Sequence, residues 1–407
     1  MSERINFAWP VTTFGKYDLD VFSTFIKDNA ELLAKKKIVV FGSGIRGTQF
    51  ARILKNSGYT DISFTDNNER KVGGYINEFP IISVDLLVEM RDDIVIIISA
   101  QGAVSIKKQL DELGFCEDLN YFYIENHLYE NYEKNFLKKG HSDIVLMGDC
   151  GITDLSITDT ELSNLGEMIQ SKIGSDRMKV MAIHAMGMRA YYTIFKAHVK
   201  YVEKPKMVAL MCNMEVFTGK QHMLPRSQHA KLIERLSNSI ENKEKELLEY
   251  VAVTKERFEN FANDYFTSSE EAMNGMSQDK NDKIVMKLNY MFKMDENNEC
   301  IVYLKKFIEF CKEEGIKLLL FIPPANYEYA QKVWGERFDE KYKANVAVLQ
   351  KIASEHEVPM HDFSYRLKSE QFAALTTIDE TLNQVGRRII CDELSQLVEE
   401  IYEKECC

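Results

Sequence analysis

KIVVFGSGIRGTQFARILKNSGYTDISFTD, residues 37–66, holds the reading that decides the fold. IVVF is an apolar, branched run of strand length, and three glycines follow it at once, Gly42, Gly44 and Gly47, in the spacing G-x-G-x-x-G. TQFARILKN then places apolar residues at helical spacing, and ISFT is a second strand that ends at Asp66, 19 residues beyond Gly47. Strand, glycine turn, helix and strand make a βαβ unit, which joins parallel strands. In that setting the glycines permit a tight turn and a close backbone approach. The helix start offers free N–H groups to a phosphate, and Asp66 is placed to accept a ribose hydroxyl. Glycines at this spacing also serve only to pack strand against helix, and that reading stands beside the first.

The alternation continues outward. DDIVIIISA, residues 92–100, is a third strand and VSIKKQLDELG the helix after it, so residues 37–124 form one domain behind an N-terminal extension, 1–36. So short a domain holds one mononucleotide-binding half, whereas a whole dinucleotide site uses two. The expected ligand is therefore a nucleotide or sugar nucleotide at Gly42, Gly44, Gly47 and Asp66. FGSGIRG, then FTDNNERKVGGYINEFPIISVDLL, then IVIIISA resemble the small Rossmann-like domains attached to bacterial sugar-modifying enzymes, among them sugar O-acyltransferases of polysaccharide pathways. Residues 125–140, ENHLYENYEKNFLKKG, are polar and helical and read as a linker.

Residues 141–407 repeat the rhythm. Strands are expected at 143–147, 179–185, 207–212, 317–322 and 358–363, and helices around 159–173, 188–202, 300–314, 339–356 and 385–402, with a helical insertion over 226–293 that serves as a cap or an arm. The fold class is thus α/β, two three-layer domains with parallel sheets. Ligands of such open sheets bind beyond the carboxyl ends of the strands. Those ends carry Gly148, Asp149 and Cys150; then His184 and Gly187; then Asn213; then Pro323, Pro324 and Asn326.

With IVLMGDC, IHAMGMRA and LMCNMEVF in these places, the second domain resembles the SGNH hydrolase superfamily, whose blocks are a G-D-S nucleophile turn, a glycine, an asparagine and a late D-x-x-H. The resemblance implies a flavodoxin-like fold and acyl-ester chemistry. Cys150 stands where the nucleophilic serine belongs. The N–H groups of Gly151 and Gly187 and the Asn213 amide would hold the oxyanion, each donor worth about 3 kcal/mol. In the closing segment TTIDETLNQVG, Asp379, Leu382, Asn383 and Gly386 have places, but Thr381 runs directly into Leu382 with no histidine. Serine needs that base; a thiol, with a pKa of about 8.5, needs it less. Acyl transfer then fits better than fast hydrolysis, as in the resembling capsule acyltransferases with a G-x-C turn, and acyl-CoA is a suitable donor. His222 is the preferred replacement base over His184, His229 and His361, each of which has an ordinary core or surface role as its alternative. Lys220, His222, Arg226 and His229 also read as an anion clamp or a solvated basic loop. Asp149 has a second role, capping the helix after the turn.

Composition bounds the rest. The 407 residues exceed what one core holds, and 45% hydrophobic content with only 7 Pro marks a folded protein. A net charge of −12 gives no support to nucleic-acid or anionic-membrane binding, although a local basic patch is compatible with it. No apolar run reaches the roughly 20 residues of a membrane span, and MSERINFAWP lacks a secretory signal, so a cytoplasmic protein is expected. Eight scattered cysteines without zinc-like spacing suggest reduced thiols and no metal site. The expected function is acyl-ester hydrolysis or O-acyl transfer on a carbohydrate of bacterial cell-surface polysaccharide biosynthesis. Its rivals are an inactive SGNH-like protein that binds glycan or a partner and a sugar-nucleotide oxidoreductase. A homo-oligomer is compatible with each.

Overall fold

In the computed structural model the described residues are 12–99, 103–140, 143–218, 228–240, 249–250, 278–375, 378 and 380–406. The chain divides into Met1–His127 and Leu128–Cys407. The first unit comprises α1 (Lys16–Asp28), β1 (Lys37–Phe41), α2 (Ile45–Asn56), β2 (Ile62–Thr65), β3 (Tyr75–Ile76), β4 (Phe79–Ile82), α3 (Val84–Glu89), β5 (Ile94–Ile98), α4 (Ala103–Glu112) and β6 (Tyr121–Tyr123). Its sheet runs β3-β4-β2-β1-β5-β6, parallel except for the β3/β4 pair. Ile38–Phe41 and all of β5 are buried, because helices cover both faces of a parallel sheet; hence the unbroken apolar runs. The extension before β1 contributes α1, whose buried Phe22 packs on Phe50 with ring centroids 4.9 Å apart.

The second unit opens with α5 (Leu128–Leu137), a helix within the stretch read as a linker, whose Tyr132 and Phe136 lie in this unit's core. Then come β7 (Ile144–Gly148), the one-turn helix α6 (Cys150–Thr153), α7 (Leu165–Ile173), β8 (Met178–Ala182), α8 (Met188–Tyr201), β9 (Met207–Met211), α9 (Ala230–Ser239), α10 (Gln278–Asn289), α11 (Glu299–Glu313), β10 (Lys317–Ile322), α12 (Tyr327–Trp334), α13 (Glu336–Glu355), β11 (Met360–Asp362) and α14 (Gln384–Cys406). The five strands are parallel in the order β8-β7-β9-β10-β11. One face is covered by α5, α8, α11 and α13, the other by α7 and α14, which gives three layers. The chain leaves β7 toward the α7 face and β9 toward the α11 face, so a switch point lies between these neighbours, the place where open α/β sheets take ligands.

Local chemistry moves some expected boundaries. α7 starts at Leu165, because Asn164 and Glu167 form a reciprocal capping box there. The helix expected near 339–356 is α13, and a further helix that was not expected, α12, precedes it; between them stands Gly335, whose φ of 59° favours glycine. Of the insertion over 226–293, α9 and α10 are described and much of the remainder lies outside the described residues. Among the described residues, no helix is long and apolar enough to cross a membrane.

Candidate functional site

β7 ends in Gly148, where a Cβ would fall 2.2 Å from the Ile152 side chain, so any larger residue would have to displace that side chain. Asp149, 3% exposed, caps α6: its Oδ1 accepts the Gly151 N–H at 3.1 Å. Its Oδ2 accepts from Asn213 Nδ2 at 3.0 Å. Asn213 follows β9, and its Oδ1 accepts the Glu215 N–H at 2.9 Å, which fixes the amide's orientation. Two turns 64 residues apart thus meet across the switch point. Cys150, the first residue of α6, is half-buried between them in the chain's course.

The third turn comes close through α8. Gly187 is the N-cap of that helix and supplies no capping side chain. Four residues on, Tyr191 is fully buried, and its hydroxyl has no hydrogen-bond partner among the described residues. Burial pushes its pKa far up, and the charges of Asp149 and Cys150 add to the rise, so this turn of α8 lies within electrostatic reach of the turn after β7.

Other expected groups fall differently. The Gly151 N–H, expected to face an oxyanion, is held by Asp149, because an aspartate at an N-cap takes the nearest free donor. Gly187 and the second amide hydrogen of Asn213 remain as candidate donors. His222, Asp379, Lys220 and Arg226 lie outside the described residues. His229 is a pin and no cation: its Nε2 meets the His184 carbonyl at 3.1 Å, and its Nδ1 meets the Tyr129 hydroxyl at 3.4 Å. Burial, then the neighbouring His184, push its pKa down to about 4, so it is neutral at pH 7 and cannot serve as the clamp's charge. His184 and His361 are exposed, the latter against Phe363 with ring centroids 4.3 Å apart.

Three residues join the site that had no local signal in the sequence. The Tyr290 hydroxyl, just past α10, lies between Glu215 Oε1 at 3.1 Å and Glu380 Oε1 at 2.5 Å. Asn289 Nδ2 donates to the same Glu215 oxygen at 2.8 Å. The Glu380 Cβ lies 3.7 Å from where a Cβ on Gly151 would stand, which puts the closing segment over the turn that follows β7. That segment is anchored just beyond. Asn383 Oδ1 accepts the Val385 and Gly386 N–H groups, and the fully buried Arg387 pairs with Asp159 and bonds the carbonyls of Glu161, Ser163 and Leu382.

In the first unit the three glycines have separate reasons. Gly42 has a φ of 109°, and a Cβ on Gly47 would fall 2.0 Å from the Gly42 carbonyl oxygen. Gly44 has an ordinary backbone, and its Cβ would meet nothing within 4 Å. Asp66 is turned onto the loop: it accepts from the Ser43 N–H at 3.0 Å, the Ser43 hydroxyl and the Asn68 N–H at 2.9 Å, and Lys71 Nζ stands 3.6 Å away. Burial raises its pKa, but the bonds from Ser43 and Asn68 and the Lys71 charge outweigh burial, and the net shift is down.

A family profile described as C2185-like, N-terminal, matches residues 34–119, which include this turn and Asp66 and none of the second unit. No curated protein matches the chain.

Proposed function

We propose that the second unit is an SGNH-hydrolase-like domain that cleaves or transfers an acyl ester on a carbohydrate of cell-surface polysaccharide biosynthesis, with Cys150 as nucleophile. The Asp149–Asn213 hydrogen bond carries the reading, because it joins two of the motif's distant turns at a switch point, where open α/β sheets take ligands. The strand order, shared with flavodoxin-like sheets, supports the same reading. In this scheme the Cys150 thiolate attacks the acyl carbonyl carbon, and the carbonyl π pair moves to oxygen, where the Gly187 N–H and the Asn213 amide stabilise it. Collapse expels the alcohol, or the thiol of an acyl-CoA donor, which takes a proton from a general acid. The resulting thioester passes its acyl group to water or to a sugar hydroxyl. His222 remains the proposed proton carrier and Asp379 its orienting partner.

The first unit, in the same proposal, is a Rossmann-like domain that binds a nucleotide or sugar nucleotide. The open space at Gly44 supports this, since the fold itself makes no demand for glycine there. The substrate is a small-molecule carbohydrate or acyl compound and the setting cytoplasmic.

Turnover of 4-nitrophenyl acetate, and acetyl transfer from acetyl-CoA to a sugar hydroxyl, test the scheme. Cys150→Ala is expected to lose at least about a hundredfold, as removal of a nucleophile does; equal turnover by Cys150→Ala and the wild type would overturn it. The capture of the Gly151 N–H by Asp149 favours a second reading, an inactive domain that binds glycan or a partner. That reading predicts no turnover above buffer by either protein, with glycan binding retained.

A further inference from the structure

Arg189, the second residue of α8, is 6% exposed, and its Nε and Nη1 have no hydrogen-bond partner among the described residues. Its guanidinium carbon stands 4.3 Å from the Tyr250 ring centroid. An aromatic contact of this kind leaves the in-plane N–H edge, the part that grips carboxylates in pairs, unused. Charged donors sealed from water are normally matched by an acceptor, and among the described residues Arg189 Nε and Nη1 have none.

Arg189 lines a hollow of about 430 Å³ between α8 and α11, within the size range of small-molecule sites. Tyr192, Tyr250 and Tyr303 give it aromatic surface. Among the described residues its charged lining is two cations, Arg189 and Lys306, against three carboxylates, Glu249, Glu309 and Glu313. That balance decides the ligand class. A diphosphate would set several negative charges against three carboxylates with only two cations to offset them. A single carboxylate on the buried arginine, carried by a neutral body rich in hydroxyls, meets the unmatched Nε and Nη1. Its hydroxyls can then donate to the carboxylates.

We infer that this hollow binds a carboxylated sugar, with the sugar's carboxylate on Arg189 and its hydroxyls toward Glu249, Glu309 and Glu313. The sugar half rests on the carbohydrate reading proposed above; the carboxylate half rests on the unmatched guanidinium. The site lies apart from Cys150 in role: it holds the sugar and does no chemistry.

Calorimetric titration of the full chain with glucuronate and N-acetylneuraminate tests the inference, with glucose, acetate and inorganic phosphate as comparisons. At least one of the two acidic sugars is expected to bind at least about tenfold more tightly than glucose or acetate. Arg189→Lys should weaken that binding at least about tenfold, because an ammonium cannot reproduce the paired grip. Arg189→Met should abolish it without lowering the thermal unfolding midpoint, since the side chain has no protein partner to lose beyond the Tyr250 ring face. Neither acidic sugar binding the wild type would overturn the inference, as would tighter binding of phosphate, or a collapse of the unfolding midpoint in Arg189→Met that exposed a purely structural role. Acetate binding as tightly as the sugars would remove the sugar half. Cys150→Ala should bind the sugar like the wild type, so loss of turnover and loss of binding report on separate proposals.

Discussion

Gly44 and Gly47 stand three residues apart in one turn and answer to different demands. A Cβ at Gly47 collides with the Gly42 carbonyl, which neighbouring backbone cannot readily yield. Gly47→Ala is therefore expected to destabilise the first unit by about 2–4 kcal/mol in denaturant unfolding. Gly44→Ala should cost under about 1 kcal/mol, the difference between glycine and alanine at an N-cap, while weakening nucleotide binding. Equal destabilisation by both would contradict the division. Asn213→Ala removes the donor to a buried carboxylate and should cost about 1.5–3 kcal/mol, read the same way. At this scale the sequence was legible where chemistry sits in one short motif, as with Asp149, Asn213 and the glycines. It was silent on Tyr290 and Glu380, which are 90 residues apart and meet only because α10 and the closing segment fold over the same turn.

Among the elements, α8 holds the clearest pH-dependent term. His198 on this helix is fully buried, with the Phe136 ring of α5 at 5.2 Å, and burial, then the charge of Lys179, push its pKa down from 6.5 to about 3. His229 is lowered to about 4. Both are neutral in the fold, and as the pH falls the unfolded chain takes up protons first. Their contribution is complete above pH 6.5 and drains away toward pH 3–4, by about 1.4 kcal/mol per pH unit for each histidine. Unfolding midpoints at pH 7 and pH 5 should differ accordingly, and His198→Phe should show a shallower fall; an identical slope would contradict the assignment. The long central strands could be read because burial on both faces makes them continuously apolar. The edge strands β3 and β6, and β4 beside β3, could not, being short and, in β4, interrupted by Pro80. In α5, two buried aromatics spaced four apart were outweighed by a polar composition.

For the whole molecule, α5 belongs to the core of the second unit. The division falls between His127 and Leu128, so residues 128–407 should unfold cooperatively as a separate fragment, whereas residues 141–407 lack Tyr132 and Phe136 from their core. Large aromatics lost from a core cost about 3–5 kcal/mol each, a large share of a stability of about 5–15 kcal/mol. Thermal scans of the two fragments should show a sharp transition for the longer and a weak or absent one for the shorter; matching transitions would place α5 outside the core.

The central claim is that distant turns converge on Cys150 and activate it. Exposure alone argues the opposite, since Cys116 is exposed and Cys150 only half-buried, while burial pushes the pKa of Cys212 and Cys300 up to about 12. Residue-resolved mass spectrometry of iodoacetamide labelling at pH 7 decides between them. The account predicts that Cys150 is alkylated at least about tenfold faster than Cys116, as an activated nucleophile would be. Labelling of Cys116 at an equal or greater rate would contradict it.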